Sequence, residues 1–409
     1  MNTLKADVAV VGGGSAGVAA ALAAARQGAE VVLVERDEIL GGMSPTALVH
    51  SVCGLYLLRS SESEPLQYAN EGFPKEFAEA LVAMDATRGP IRMGKLDVLL
   101  HRPSSFAQLA GRLVGALTNL RLCLQSEVLA VRRDGSHRIG ALTILSGDVR
   151  RELEVSTVVD TTGDAALAPL AGASYESAPL EKMQRPALIF LLCGADSDAM
   201  SEGGRLRLAH AISTAVMGKH LPEGALGTAF RAGVSPEEVW GTIDLQAIGF
   251  DPTQSNAVVL LEKEGRELAF QLVDFMKKHL PEFRGATIAA LPKRLGIRES
   301  RRMKGCYELT EQDLLRGARF EDEVALASWP IELRETAKGP RFRFPDENRP
   351  CGIPLRSLKS CDVRNLFVAG RCMPSSHEAQ GAIRVIGTCL ATGEAAGKAA
   401  AEFAASRIQ

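Results

Sequence analysis

Residues 375–387 read SSHEAQGAIRVIG and hold a histidine and an arginine seven positions apart, His377 and Arg384. A histidine titrates close to working pH, so it can give or take a proton. An arginine beside it can stabilise negative charge that develops during a reaction. The plainer reading is a surface loop with an arginine at a helix entrance. A second cluster is GIRESRRMKG, residues 296–305, with Arg298, Arg301 and Arg302 inside five positions and Glu299 among them. Such a run is ordinarily a solvated face, with Glu299 neutralising an arginine. TALVHSVCGLY, residues 46–56, adds His50, Cys53 and Tyr56, each with usable chemistry or else a place in a wall. The eight cysteines form no CxxC pair, and none stands at metal-ligand spacing from a histidine. No metal site is expected, and most of the thiols should be small buried side chains.

Such side chains need a scaffold, and the clearest one opens the chain: DVAVVGGGSAGVAAALAAARQGAEVVLVER, residues 7–36. Val8 to Val11 form an unbroken apolar run, as in a parallel strand covered on both faces. Gly12 lets the chain reverse, Gly14 lets backbone approach a pyrophosphate, and Gly17 lets helix and strand pack closely. Residues from Ser15 to about Arg26 are strong helix formers, and the N-H groups at the start of that helix face the phosphates. Gly28 ends the helix, EVVLVER is the second strand, and Glu35 at its end is placed to accept from ribose hydroxyls. Strand, helix, strand and acid in this order make a dinucleotide site. The motif by itself serves NAD and FAD alike.

Three later segments bear on that choice. ILGGMSP (39–45) brings a second glycine pair directly after the acid. STVVDTTGDAALAPLAGA (156–173) is an apolar strand ending in Thr-Thr-Gly-Asp before an Ala-rich helix. There Asp164 either returns to the nucleotide or caps the helix. NLFVAGRCMPSSHEAQGAIRVIGTCLATGEAAGKAAA (365–401) is a buried strand, a Gly370-Arg371 turn and, from about Gly387, a helix with Gly393, Ala396, Gly397 and Ala400 on one face. Together with GIRESRRMKG, these segments resemble the FAD-dependent oxidoreductases related to fumarate reductase flavoproteins. They spread from about Asp7 to Ala401 and leave most of 60–150 and 180–255 uncovered.

The resemblance implies FAD as the cofactor. Its contacts would be Gly12, Gly14, Ser15, Ala16, Gly17, Glu35, Arg36, Gly42, Met43, Val128, Gly163, Asp164, Gly370 and Arg371. It also implies that the last helix aims its N-terminus at the flavin pyrimidine end, where its dipole favours negative charge. His377 and Arg384 would grip a substrate carboxylate, and Arg298 would touch the flavin ring or an anionic substrate. Here the spacing is looser than in that relative, and Glu378 follows the histidine. A flavin bond to His50 or Cys53, as in some relatives, and a redox disulfide between Cys53 and Cys372 are alternatives to plain wall roles.

The expected fold class is α/β: a Rossmann-like FAD-binding domain, discontinuous over 1–180 and 346–409, with an inserted α+β substrate domain over 181–345. NLRLCLQSEVLAVRRDG (119–135) fits a strand ending near the adenine, and RIGALTILSGDVRRELEVSTVVD reads as a hairpin turning at Gly-Asp. In the insert, RPALIFLLCGAD reads as a strand and Ser235-Pro236-Glu237 as a helix start. NAVVLLEKEGRELAFQLVDFMKKHL reads as a helix stopped by Pro281, with His279 a helix-end residue. The insert should close over the flavin and form a pocket at the domain interface.

With 46 % hydrophobic and 23 % charged residues in 409, and a net charge of -2, the chain reads as globular with no reason to bind nucleic acid. No apolar run reaches the roughly 20 residues of a membrane helix. The short apolar stretch before the glycines reads as a strand and not as a signal peptide, so the expected location is cytoplasmic. The expected activity is hydride transfer between a small-molecule substrate and flavin N5, with His377 as acid or base. Two alternatives stand beside it. One is an NAD(P)H-using flavin reductase, disfavoured by the single complete glycine fingerprint. The other is a flavin-fold escort protein without turnover. Substrate, electron acceptor, direction, covalent attachment and oligomeric state stay open.

Overall fold

The computed structural model describes residues 3–135, 137–247, 249–336 and 339–406. At its centre is a seven-stranded sheet. Strand Thr3–Val11 lies parallel to Val31–Val34 on one side and to Val149–Asp160 on the other. Leu120–Cys123 extends the parallel edge beyond Val31–Val34. The first half of Val149–Asp160 pairs antiparallel with Arg138–Ser146, whose other neighbour is Ser126–Asp134. Its last residues pair instead with Leu366–Val368, in parallel. The two ends of the chain are thereby joined through one shared neighbour strand.

Val8, Ala9 and Val10 have no exposed surface, as their unbroken apolar run requires. Helices Ser15–Arg26 and Ile386–Ala405 cross in close contact beside them. A Cβ on Gly393 would lie 2.1 Å from the Ala16 carbonyl oxygen, and one on Gly397 would lie 2.2 Å from that of Ala20. The small-residue face of the last helix is the condition for this crossing.

A second, four-stranded antiparallel sheet holds Thr228–Ala232, Val239–Asp244, Ala187–Cys193 and Thr287–Ala290 in that order. Alternation along its strands sends Leu188, Phe190, Leu192, Val239 and Ile243 into a separate core with helices Glu202–Met217 and Ser255–His279. Residues of the opposite parity, among them Ile189 and Trp240, leave that core for a small cluster with Leu48 and Val49. The helix over 255–279 ends before Pro281, and His279 rests on Phe275 with ring centroids 4.6 Å apart.

Two expectations are corrected. Ser235, Pro236 and Glu237 start no helix; they turn the hairpin between Thr228–Ala232 and Val239–Asp244. The Glu238 carboxylate accepts from the Val234 N-H at 3.0 Å, and the strand-forming VWGTID that follows outweighs the capping signal. The packing also divides earlier than the sequence reading does. The second core's last fully buried residue is Leu295, while Leu309, Leu314, Ile331 and Leu333 pack into the nucleotide-domain core.

Candidate active site

Three loops converge at the carboxyl ends of the central strands, where open α/β sheets bind ligands. Gly12 has φ +103°, and a Cβ there would lie 2.6 Å from the Thr161 carbonyl oxygen. A Cβ on Gly42 would come within 2.7 Å of Gly14 Cα. The second glycine pair therefore lets residues 41–42 run against the first glycine turn, and the Gly41 N-H donates to the Gly13 carbonyl at 2.8 Å. Thr161 ties the later segment to the same turn, donating to Gly12 O at 2.7 Å. Helix Ser15–Arg26 starts here with no side-chain cap, which leaves its N-terminal N-H groups for an anion. Glu35 is buried and accepts from the N-H groups of Gly13 and Asp37. Burial raises its pKa, and those two bonds oppose the rise.

A cavity runs on from this point, and every expected cofactor contact except Gly17 lines it. Gly17 stands behind it, where a Cβ would lie 1.7 Å from Gly12 O, which is the close-packing role its spacing suggested. Asp164 lines the cavity and accepts from Ser300 Oγ at 2.7 Å and the Arg371 guanidinium at 2.6 Å. It does not cap the following helix. Asp160 does so, accepting from the Leu167 N-H at 3.0 Å. A glycine-crowded turn, an uncapped helix terminus and a buried acid, along a cavity walled by both chain ends, fit an elongated dinucleotide such as FAD.

At its other end the cavity meets the insert. Asp244 accepts from Arg298 at 2.6 Å and, through its other oxygen, from Arg334 at 2.6 Å. Glu332 accepts from Arg334 Nε at 2.7 Å and Trp329 Nε1 at 3.1 Å. Arg384 follows the short helix His377–Ile383 and reaches the Glu332 carbonyl at 3.5 Å, while its buried Nε has no partner. Arg298, Arg334, Arg384 and Glu332 all line the cavity. Burial lowers the Arg298 pKa to about 10, with Asp244 opposing. Burial disfavours the Glu332 charge, but Arg334, Arg384 and Arg298 outweigh it and hold its pKa at about 2. Three arginines thus face two ionised carboxylates, with one positive charge in excess. Asp244, Glu332, Arg334 and Trp329 were not singled out by the sequence reading. The only local trace is an acid ending an apolar strand in GTID and alternating charge in IELRE.

His50 and Cys53 line the same space, whereas Tyr56 pairs with Tyr68 at 5.2 Å between centroids. His50 lies flat on Trp240, with ring centroids 4.5 Å apart and planes at 11°. Its Nδ1 faces the Leu48 carbonyl at 3.2 Å. That nitrogen must carry the proton, so Nε2 keeps its lone pair. Burial drives the His50 pKa down to about 4 and raises the Cys53 thiol to about 11. Cys53 is therefore no ready nucleophile, and all eight cysteines are free thiols, with no bond between Cys53 and Cys372.

Neutral His50 has a consequence for stability. Its folded pKa lies below the unfolded value of about 6.5. The unfolded chain therefore binds the extra proton between the two values, and stability falls as pH drops through that window. His101, with a pKa near 3 from the same cause, acts in the same direction. Between about pH 6 and pH 5 the denaturation midpoint of His50→Asn should therefore fall less than that of the wild type.

His377 does not line the cavity. Its Nδ1 pairs with Glu299 at 2.9 Å and its Nε2 with Glu335 at 3.1 Å. Burial lowers its pKa, but the two glutamates outweigh that and the net shift is upward. Both ring nitrogens are thus engaged, and the expected place for His377 in the reaction pocket is corrected. Glu299 also binds Arg302 at 2.6 Å, so it neutralises an arginine as the plain reading held. Arg302 is buried, and Arg301 sits over the Tyr175 ring. Of the three arginines in the run, only Arg298 enters the cavity wall.

Among the described residues no helix is long and apolar enough to cross a membrane, and no acid, histidine or cysteine group could hold a metal. No curated protein matches the chain by sequence. The fold is shared with a geranylgeranyl bacteriochlorophyll reductase-like protein from Thermoplasma acidophilum, at 15 % identity and TM-score 0.50, covering 100 % of this chain and 79 % of that one. It is shared also with the flavin-dependent brominase Bmp2, at 13 % identity and TM-score 0.50, covering 98 % and 80 %. At these identities the likeness speaks for the fold alone. A family model described as FAD dependent oxidoreductase matches residues 7–409. The chain belongs to the FAD-dependent oxidoreductase family and is an FAD-using enzyme.

Proposed function

We propose that this enzyme transfers a hydride between an anionic small molecule and flavin N5, in the cavity between the nucleotide cradle and the insert. The observation that carries this reading is the continuity of that cavity from the glycine turn to a cluster of three arginines against two carboxylates. Bound FAD supplies the hydride acceptor or donor. Arg384, with a buried Nε lacking a partner, holds the substrate's negative charge, and Asp244 keeps Arg298 and Arg334 in place. His50 is the proton-handling group, since its Nε2 lone pair is free and its ring is fixed on Trp240. Protonation below its pKa of about 4 removes that lone pair. The acid limb of kcat/KM should therefore fall well below the roughly 6.5 of an ordinary histidine.

His377 is assigned to structure. His377→Gln should retain FAD and most of the turnover while lowering stability by about 1–3 kcal/mol through the bonds lost to Glu299 and Glu335. A turnover loss above about 100-fold with FAD still bound would return it to the mechanism. The redox reading is tested by colour. The purified protein should be yellow, bleach with dithionite and recover in air. Rapid, complete bleaching by NADH or NADPH would favour the flavin-reductase alternative. An FAD-loaded protein that no reductant bleaches would favour the escort.

A further inference from the structure

The end of the cavity that carries the arginines also carries an apolar wall. Trp329, Val385, Leu96 and Val98 form one buried cluster, with Met93 and Cys53 packed against it. All six line the cavity. The charged cluster and the wall are directly joined: Trp329 donates to Glu332, and Val385 follows Arg384 in the chain. Each apolar side has a clear origin. Leu96 and Val98 come from alternate positions of strand Leu96–His101, and Val385 is the residue before helix Ile386–Ala405. A polar or doubly charged substrate would have to desolvate against these side chains without a partner, which is costly. An apolar body would gain by their burial.

The charges limit the ligand further. Within the buried cluster Asp244 consumes one positive charge and Glu332 another, leaving a single charge in excess across Arg298, Arg334 and Arg384. Arg231 also borders the cavity, but it is exposed and touches Met93 Sδ at 3.8 Å. A screened cation at the rim draws anions inward without binding them tightly.

We propose that the substrate is an apolar monocarboxylate, its carboxylate on Arg384 and its ring or chain against Trp329, Leu96 and Val98. This rests on the reading of the cavity as the substrate site and narrows it to a chemical class.

The test is calorimetric binding to the purified FAD-loaded protein, with phenylacetate, benzyl alcohol, acetate and succinate as probes. Phenylacetate should bind at least about 10-fold more tightly than each of the others, since a charge-assisted hydrogen bond and a buried ring each contribute that much. Arg384→Met should remove the preference for phenylacetate over benzyl alcohol. Trp329→Leu should weaken phenylacetate and leave acetate unchanged. Visible FAD absorbance, read on every sample, separates loss of the cofactor from loss of this site. Should Arg384→Met shed FAD, Arg384→Lys serves, with weaker phenylacetate binding expected. Succinate binding as tightly as phenylacetate, or equal phenylacetate affinity in wild type and both Arg384 variants, overturns the proposal.

Discussion

Gly393→Val should yield a protein that no longer retains FAD and unfolds at a markedly lower temperature. The position lies far from the glycine fingerprint in sequence, yet any Cβ there meets the Ala16 carbonyl oxygen at 2.1 Å. The obstacle is backbone within helix Ser15–Arg26, which no rotamer change relieves. The helices must separate, and Gly370, packed against both Ala16 and Cys389, loses its seat between them. Overpacking typically costs about 1–3 kcal/mol, and an obstacle made of backbone puts this substitution at the upper end of that range. FAD content per chain and the thermal midpoint read the effect. An FAD-saturated Gly393→Val protein with an unchanged midpoint would mean that the two ends do not meet as described.

Asp244→Ala is the second large effect. One carboxylate partners two guanidinium groups, and both arginines are mostly buried, with side-chain exposures of 12 % and 14 %. Removing it leaves two like charges facing each other. Breaking a buried pair on one side costs about 3–5 kcal/mol. Stability should fall by about that much, and substrate turnover should drop more than 100-fold as Arg298 and Arg334 swing apart. Asp244→Asn, which keeps the shape, should recover part of the stability and little of the turnover. Chemical denaturation and flavin reduction rates measure the two separately. Equal turnover in wild type and Asp244→Ala would remove the cluster from the reaction.

The parts of this structure legible in the sequence are those built from neighbours along the chain. Gly12, Gly14, Gly17 and Glu35 act within one strand-helix-strand unit, so their spacing alone carries their geometry. The small-residue face of Ile386–Ala405 was visible too, although its partner helix was not. What stayed hidden depends on pairing across distance. Asp244 meets Arg334 90 positions later, and His377 meets Glu299 78 positions earlier. The histidine looked reactive because its glutamates belong to other segments. Asp164 resembled a helix cap, yet Asp160, four residues earlier, had the reach. At Ser235-Pro236-Glu237 a sound local signal lost to strand pairing with Thr228–Ala232.

Anaerobic flavin reduction tests most directly whether substrate meets FAD beside Arg384. A panel of small apolar carboxylates, mixed with the yellow protein in the absence of oxygen, should include one that bleaches it, with colour returning in air. Arg384→Met should keep its FAD and bleach about 10–100-fold more slowly with that compound, the loss expected for one charge-assisted hydrogen bond. Bleaching at the same rate in both proteins would contradict the account.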